Sequence, residues 1–125
     1  MYNGLMKTIR LIHPRSNHLP GEVQSALRDF QAALRQLYAA QVPRMLLYGS
    51  YARDKANTDS DVDVLLVYPQ PVPAWAEIQR LGGILADLNL RYQVLITVLP
   101  ASQQELQTTQ NAFWNNIRRE GITLA

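Results

Sequence analysis

The stretch that most restricts what this chain can become is residues 45–68, MLLYGSYARDKANTDSDVDVLLVY. Two short apolar runs, Met45–Leu47 and Val62–Tyr68, flank a glycine-serine pair and a polar connection, and the second run opens on Asp61 and Asp63. Apolar runs of this length, bounded by turn-forming and acidic residues, predict β-strands. Side chains alternate along a strand, so Asp61 and Asp63 are expected on one face. Two neighbouring carboxylates repel each other unless a cation sits between them. A hard divalent ion such as Mg²⁺ favours that arrangement, with carboxylates, phosphate oxygens and water completing its shell. Gly49-Ser50 stands where the first strand ends and a helix is able to begin. Glycine permits close backbone approach, serine is a good helix N-cap, and free N–H groups behind it favour an anion. An anion site beside a metal site outlines a nucleoside-triphosphate site for phosphoryl or nucleotidyl transfer.

The complete pattern is Gly-Ser-x10-Asp-x-Asp, with ten residues between Ser50 and Asp61 and Ala52-Arg53 following Tyr51. In this order and spacing the chain resembles the minimal nucleotidyltransferases of the DNA polymerase β superfamily. The resemblance implies an α/β (α+β) nucleotidyltransferase fold, a small mixed β-sheet of three to five strands packed by helices. It also implies Mg²⁺ as cofactor and ATP as nucleotide donor. Asp61 and Asp63 take the catalytic and metal-holding roles, and Gly49, Ser50 and Arg53 meet the nucleotide. Ser60 looks like the serine that precedes the first acid in many relatives.

Minimal members of this superfamily often form the antitoxin half of a pair with a HEPN-domain toxin, and the implied reaction is AMP transfer from ATP to that partner. Two further readings follow from the same resemblance. In one the protein neutralises its partner by binding alone; in the other it modifies a small molecule, as aminoglycoside nucleotidyltransferases do. Active relatives usually carry a third carboxylate on the next strand. Here Arg91–Leu99 holds no Asp or Glu, and the cleft face of that strand is read as Gln93, Leu95 and Thr97. An amide in place of a carboxylate is unable to act as a general base, so Gln93 marks a departure from the family pattern.

Composition narrows the setting. A chain of 125 residues with 47% apolar content suits one domain around one core. Division into an N-terminal arm, 1–20, and a single nucleotidyltransferase domain, 21–125, is expected. The absence of cysteine excludes disulfides, a thiol nucleophile and thiolate metal sites. Met1–Leu11 lacks the long apolar run of a signal peptide, and no stretch approaches a membrane span. A cytoplasmic protein without a membrane partner is therefore expected. A net charge of +2 makes no bulk electrostatic case for direct nucleic-acid binding. Homo- and hetero-oligomers both stay open.

In chain order, Thr8–Ile12 reads as a short strand, and His13 and His18 as surface histidines among turn residues. Val23, Ala26, Leu27, Phe30, Ala33, Leu34 and Leu37 recur at helical spacing, predicting a helix over 21–41 that Pro43 stops. Strand 44–48 and the motif follow. After Pro69, Pro71 and Pro73 comes a second helix, with Trp75, Ile78, Leu81, Leu85 and Leu88 expected on its buried side. Gly82-Gly83 inside it calls for a close contact or a break. Leu90–Leu99 reads as the third strand. Residues 101–108 and 111–120 read as helices anchored by Leu106, Phe113, Trp114 and Ile117, with Gly121 as the stop.

Overall fold

A computed structural model of the chain describes residues 7–11 and 18–125. Within them the order is β1 (Lys7–Ile9), α1 (Gly21–Tyr38), β2 (Arg44–Tyr48), β3 (Val62–Tyr68), α2 (Ala74–Tyr92), β4 (Ile96–Ser102), α3 (Gln103–Thr108), α4 (Ala112–Glu120) and β5 (Ile122–Leu124). The strands form one five-stranded mixed sheet in the order β1-β5-β2-β3-β4. β2 runs antiparallel to both β3 and β5, while β3–β4 and β1–β5 are parallel pairs. The α/β architecture expected from the sequence is the one observed.

Helices cover both faces of this sheet. On one, Val23, Leu27, Phe30 and Leu34 of α1 and Leu81 and Leu88 of α2 pack on Met45, Leu47, Val64 and Leu66. On the other, Leu106 of α3 and Trp114 and Ile117 of α4 pack on Leu46, Leu65 and Val67. β3 is central and covered twice, so Val64–Tyr68 is buried without a break, as an uninterrupted apolar run requires. Each such buried Leu, Val or Phe contributes about 1.5–3 kcal/mol relative to exposure. Parity then fixes where the acids go. Asp63 shares its face with Leu65 and Val67, and so belongs to the α3/α4 side, at the point where β3 begins.

Several elements differ from the sequence expectations. α1 ends at Tyr38, where Ala39 turns to φ 48°. Only Lys7–Ile9 of the expected first strand pairs, and it does so with β5 at the far end of the chain; Ile12 and His13 lie outside the described residues. β5 has no counterpart among the sequence-predicted elements. α2 continues to Tyr92 and closes on Gln93 in the left-handed conformation, φ 53°. Asn89 then accepts from the Ile96 N–H at 2.9 Å, which starts β4 at Ile96. Gln93 is thus a helix cap and not a strand residue.

The outer face of α2 also departs from expectation. Trp75 and Ile78 are exposed, at 68% and 44%, while Leu81 and Leu88 are the buried pair. α2 passes through Gly82-Gly83 unbroken, and a Cβ at either position would meet nothing within 4 Å. Neither close packing nor a break explains the pair. They simply leave α2 less stable than alanines would, by about 1 kcal/mol each. In the first turn of α2, Tyr38 donates a hydrogen bond to the buried Glu77. The Tyr38 and Tyr68 hydroxyls lie 3.3 Å apart, joining α1, β3 and α2. No described helix is long and apolar enough to cross a membrane.

Candidate functional site

Everything in the motif converges where β2 ends and β3 and β4 begin. Tyr48, the last residue of β2, pairs with Asp63, and Asp63 in turn pairs with Thr97 of β4. The three lie side by side across the sheet. Thr97 Oγ1 donates to Asp63 Oδ1 at 2.7 Å. Asp63 Oδ2 faces the next residue of the chain after Tyr48: a Cβ built on Gly49 would sit 2.3 Å from it. Gly49 also holds φ +75°, a conformation that L side chains adopt at a cost. Two independent demands, one on the backbone and one on space, therefore require glycine here. The carboxylate rests against bare main chain.

From Gly49 the chain folds back on itself. The Gly49 carbonyl accepts from the N–H groups of Ala52 and Arg53, both at 3.1 Å, and the Ser50 carbonyl from Lys55 at 2.9 Å. The result is a closed turn. No helix follows, so Ser50 is not a helix N-cap, and its hydroxyl has no partner among the described residues. The short connection to β3 is ordered by Asn57, whose Oδ1 accepts from Asp59 N–H at 2.9 Å and whose N–H donates to Ser60 Oγ at 2.9 Å. Asp59 is a turn residue, as its type favours.

Asp61 lies one residue before β3, exposed to solvent. The Val62 N–H donates to the Leu95 carbonyl at 2.8 Å, so the β3–β4 pairing reaches back to this point and Asp61 keeps the parity of Asp63. Asp61 lines a cleft of about 830 Å³ together with Tyr51, Ser60, Tyr92, Gln93 and Leu95. Asp63 and Gly49 are not part of that cleft's wall, so of the two acids only Asp61 lines it. The turn Tyr51–Ala56 separates it from a second cavity of about 850 Å³, lined by Lys7, Arg10, His18 and Asp54.

Arg53, expected from sequence to meet the nucleotide, is paired within the chain. Its guanidinium pairs with Glu120 at the end of α4, 3.6 Å away, with both side chains partly exposed. This tethers the turn to the helix beneath it. Electrostatics mark the rest of the site. Burial, and then the negative charge of Asp63, push the Tyr48 hydroxyl above its ordinary range. Burial and then Glu22 do the same for Tyr51.

Among the described residues no three His, Cys, Asp or Glu side chains gather as a metal-binding group. The donor set is two carboxylates, of which Asp63 has one oxygen held by Thr97 and the other against Gly49. That set suits an ion such as Mg²⁺, which takes one or two carboxylates and completes its shell with phosphates and water. Thr97 was visible in sequence only as a polar residue sharing a face with Gln93. Its place beside Asp63 depends on the β3–β4 register, and Glu120 carries no sequence signal linking it to Arg53.

A mixed sheet that brings two acids at a strand's start up to a glycine turn is the layout of a nucleotidyltransferase, and comparison with known families gives the same answer. Residues 27–118 match the nucleotidyltransferase domain family. The chain belongs to that family and is a nucleotidyltransferase by class. It is 28% identical over 102 residues to "Putative protein adenylyltransferase MJ0604" of Methanocaldococcus jannaschii, covering 81% of this chain and 96% of the relative. A second protein of that organism, "Putative protein adenylyltransferase MJ0141", is 26% identical over 101 residues, covering 81% and 97%.

Proposed function

We propose that this protein transfers AMP from ATP to a side-chain hydroxyl of a partner protein, using Asp61 and Asp63 to hold Mg²⁺ and the Gly49-Ser50 turn to receive the triphosphate. The observation that carries this reading is the packing of Asp63 against Gly49. A Cβ there would come within 2.3 Å of the carboxylate, so the turn and the acid are built as one unit. The names borne by the two relatives, matched over nearly their whole length, support adenylyl transfer with a protein as acceptor.

The bonds exchanged are few. The acceptor oxygen joins the α-phosphorus, the bond from that phosphorus to the bridging oxygen breaks, and pyrophosphate leaves. The hydroxyl proton passes to solvent, since β4 offers no acid beside the pair. Mg²⁺ when bound supplies charge neutralisation at the phosphates. The chain's own contribution is orientation: Asp63 fixed between Thr97 and Gly49, Asp61 in the cleft wall, the Ser50 hydroxyl toward phosphate. Arg53 meets phosphate by exchanging its exposed pairing with Glu120, a pair worth about 1 kcal/mol or less.

The partner is proposed to be a HEPN-type toxin and the protein its cytoplasmic antitoxin. A second reading, neutralisation by binding without transfer, is favoured by one feature: the residues beside Asp61 and Asp63, Leu95 just before β4 and Thr97 within it, are not acids. Incubation with labelled nucleoside triphosphates and Mg²⁺, with and without a HEPN-type protein from the same genome, decides between them. Label from ATP on the partner is expected. A partner that is inhibited yet unlabelled would establish the second reading in its place.

A further inference from the structure

We infer that Thr97 is a positioning residue for Asp63, holding the carboxylate from β4 by a hydrogen bond. The inference rests on the nucleotide site proposed above. Three observations converge on it. Thr97 is in register with Asp63 across the parallel β3–β4 pair. Its hydroxyl donates to Oδ1 at 2.7 Å, within the range of a charge-assisted bond. The opposite oxygen, Oδ2, faces Gly49, where no side chain is able to stand. One oxygen is therefore held and the other has no donor among the described residues and faces the turn that would receive phosphate.

The chemistry at this place differs from that of a third carboxylate. An acid beside Asp63 would add a third negative charge to Asp61 and Asp63, and repulsion would grow without a cation. A hydroxyl donates instead, so the ionised Asp63 is stabilised in its working orientation before any ion arrives. Tyr48, on the other side of Asp63, is half-buried and carries its own hydroxyl. Its ring packs edge-on against Phe113 of α4, which fixes the wall but gives Asp63 no hydrogen bond. Thr97 is thus the single hydrogen-bond donor to the Asp63 carboxylate among the described residues.

The test uses Thr97→Val, which keeps the β-branched shape suited to a strand, together with Thr97→Ala and Thr97→Ser. Two readouts are taken on each: the Gly49 amide signal in a nitrogen–proton correlation spectrum, and Mg-ATP affinity by calorimetry. In Thr97→Val and Thr97→Ala the Gly49 signal should move, because Asp63 is free to turn. Mg-ATP affinity should fall about tenfold or more, the loss of a hydrogen bond to a charged group. Thr97→Ser should return both to near the wild-type value, which a role in packing alone would not do. Unchanged spectra and affinity in Thr97→Val and Thr97→Ala overturn the inference, as does a Thr97→Ser chain that behaves like Thr97→Val. If wild-type protein binds no Mg-ATP, the nucleotide reading fails; the Gly49 signal then decides the role of Thr97 alone, in the same directions.

Discussion

Gly49→Ala tests the centre of the site with a change of one methyl group. Two costs add. At φ +75° an alanine pays about 1–2 kcal/mol for the left-handed region. The new Cβ also meets Asp63 Oδ2 at 2.3 Å and Cγ at 3.2 Å, so the carboxylate must swing away. Swinging it breaks the bond from Thr97, about 1.5–3 kcal/mol for a hydrogen bond to a charged group. Some relaxation of the turn recovers part of this, and a net loss of about 3 kcal/mol is expected. For a domain of this size that lowers Tm by about 10 °C.

Thermal or urea unfolding measures the loss, and calorimetry with Mg-ATP reads the site. Gly49→Asn separates the two costs. Asparagine tolerates the left-handed region better but carries the same Cβ, so it should recover the backbone part and still fail to bind nucleotide. Gly21→Ala is the control, since its Cβ would meet nothing within 4 Å and its φ is not positive. A Gly49→Ala chain within about 0.5 kcal/mol of wild type, the ordinary range of surface substitutions, and with undiminished Mg-ATP binding would refute the close packing of turn and acid.

Ser50→Ala should leave stability unchanged, since no helix follows for it to cap, and should weaken triphosphate binding by about 1.5–3 kcal/mol if its hydroxyl meets phosphate; unfolding and calorimetry on one variant check both. Gly82→Ala and Gly83→Ala should each stabilise the chain by about 1 kcal/mol, read as a higher urea midpoint, because both positions are open. Burial, then the hydrogen bond with Tyr38, raise the Tyr68 hydroxyl well above its ordinary value. Above about pH 10 the unfolded tyrosine loses its proton while the folded one keeps it, so stability should fall as pH rises from there, and Tyr68→Phe should flatten that fall in pH-dependent unfolding. Leu95→Asp, half-exposed beside Asp61, should cost little stability and raise transfer to a protein acceptor by up to about 10²-fold, the lower range of general-base catalysis; a labelled-ATP time course is the measure, and an unchanged rate would place proton removal elsewhere.

What was legible in the sequence was local. β2, the turn and β3 were readable because apolar runs are cut sharply by Gly49 and by the two acids, and each signal spans only a few residues. α1 was readable because seven apolar residues keep one face over about four turns. The failures came where a signal needs a partner. β5 is three residues long and becomes a strand only by pairing with β2 and with β1, over a hundred residues away in the second case. Trp75 falls off the buried face for a geometric reason: two successive steps of three turn a helix face by about 120°, so a stripe that starts at Trp75 has left that face by Leu81.

The site shows the same division more sharply. Asp61, Asp63, Gly49 and Ser50 announce themselves because all lie within fifteen residues, and chain connectivity alone keeps them close. The fifth participant had to come from another strand, and there the sequence points the wrong way. Leu90–Leu99 is rich in strand-forming residues, which made Gln93 read as part of β4. The helix wins those first residues because Leu88 is buried beneath it, and because Asn89 caps the following strand through its side chain. Sliding the start of β4 to Ile96 moves Gln93 off the strand entirely. Only then does the pairing of Val62 with Ile96 set Leu95 beside Asp61 and Thr97 beside Asp63. A carboxylate at Gln93 would therefore sit on a helix cap, in the wall of the cleft but not beside Asp63, whereas the Thr97 hydroxyl, at the second pair of β4, already touches Asp63. Register, which depends on both strands at once, decides which β4 side chain attends the acids.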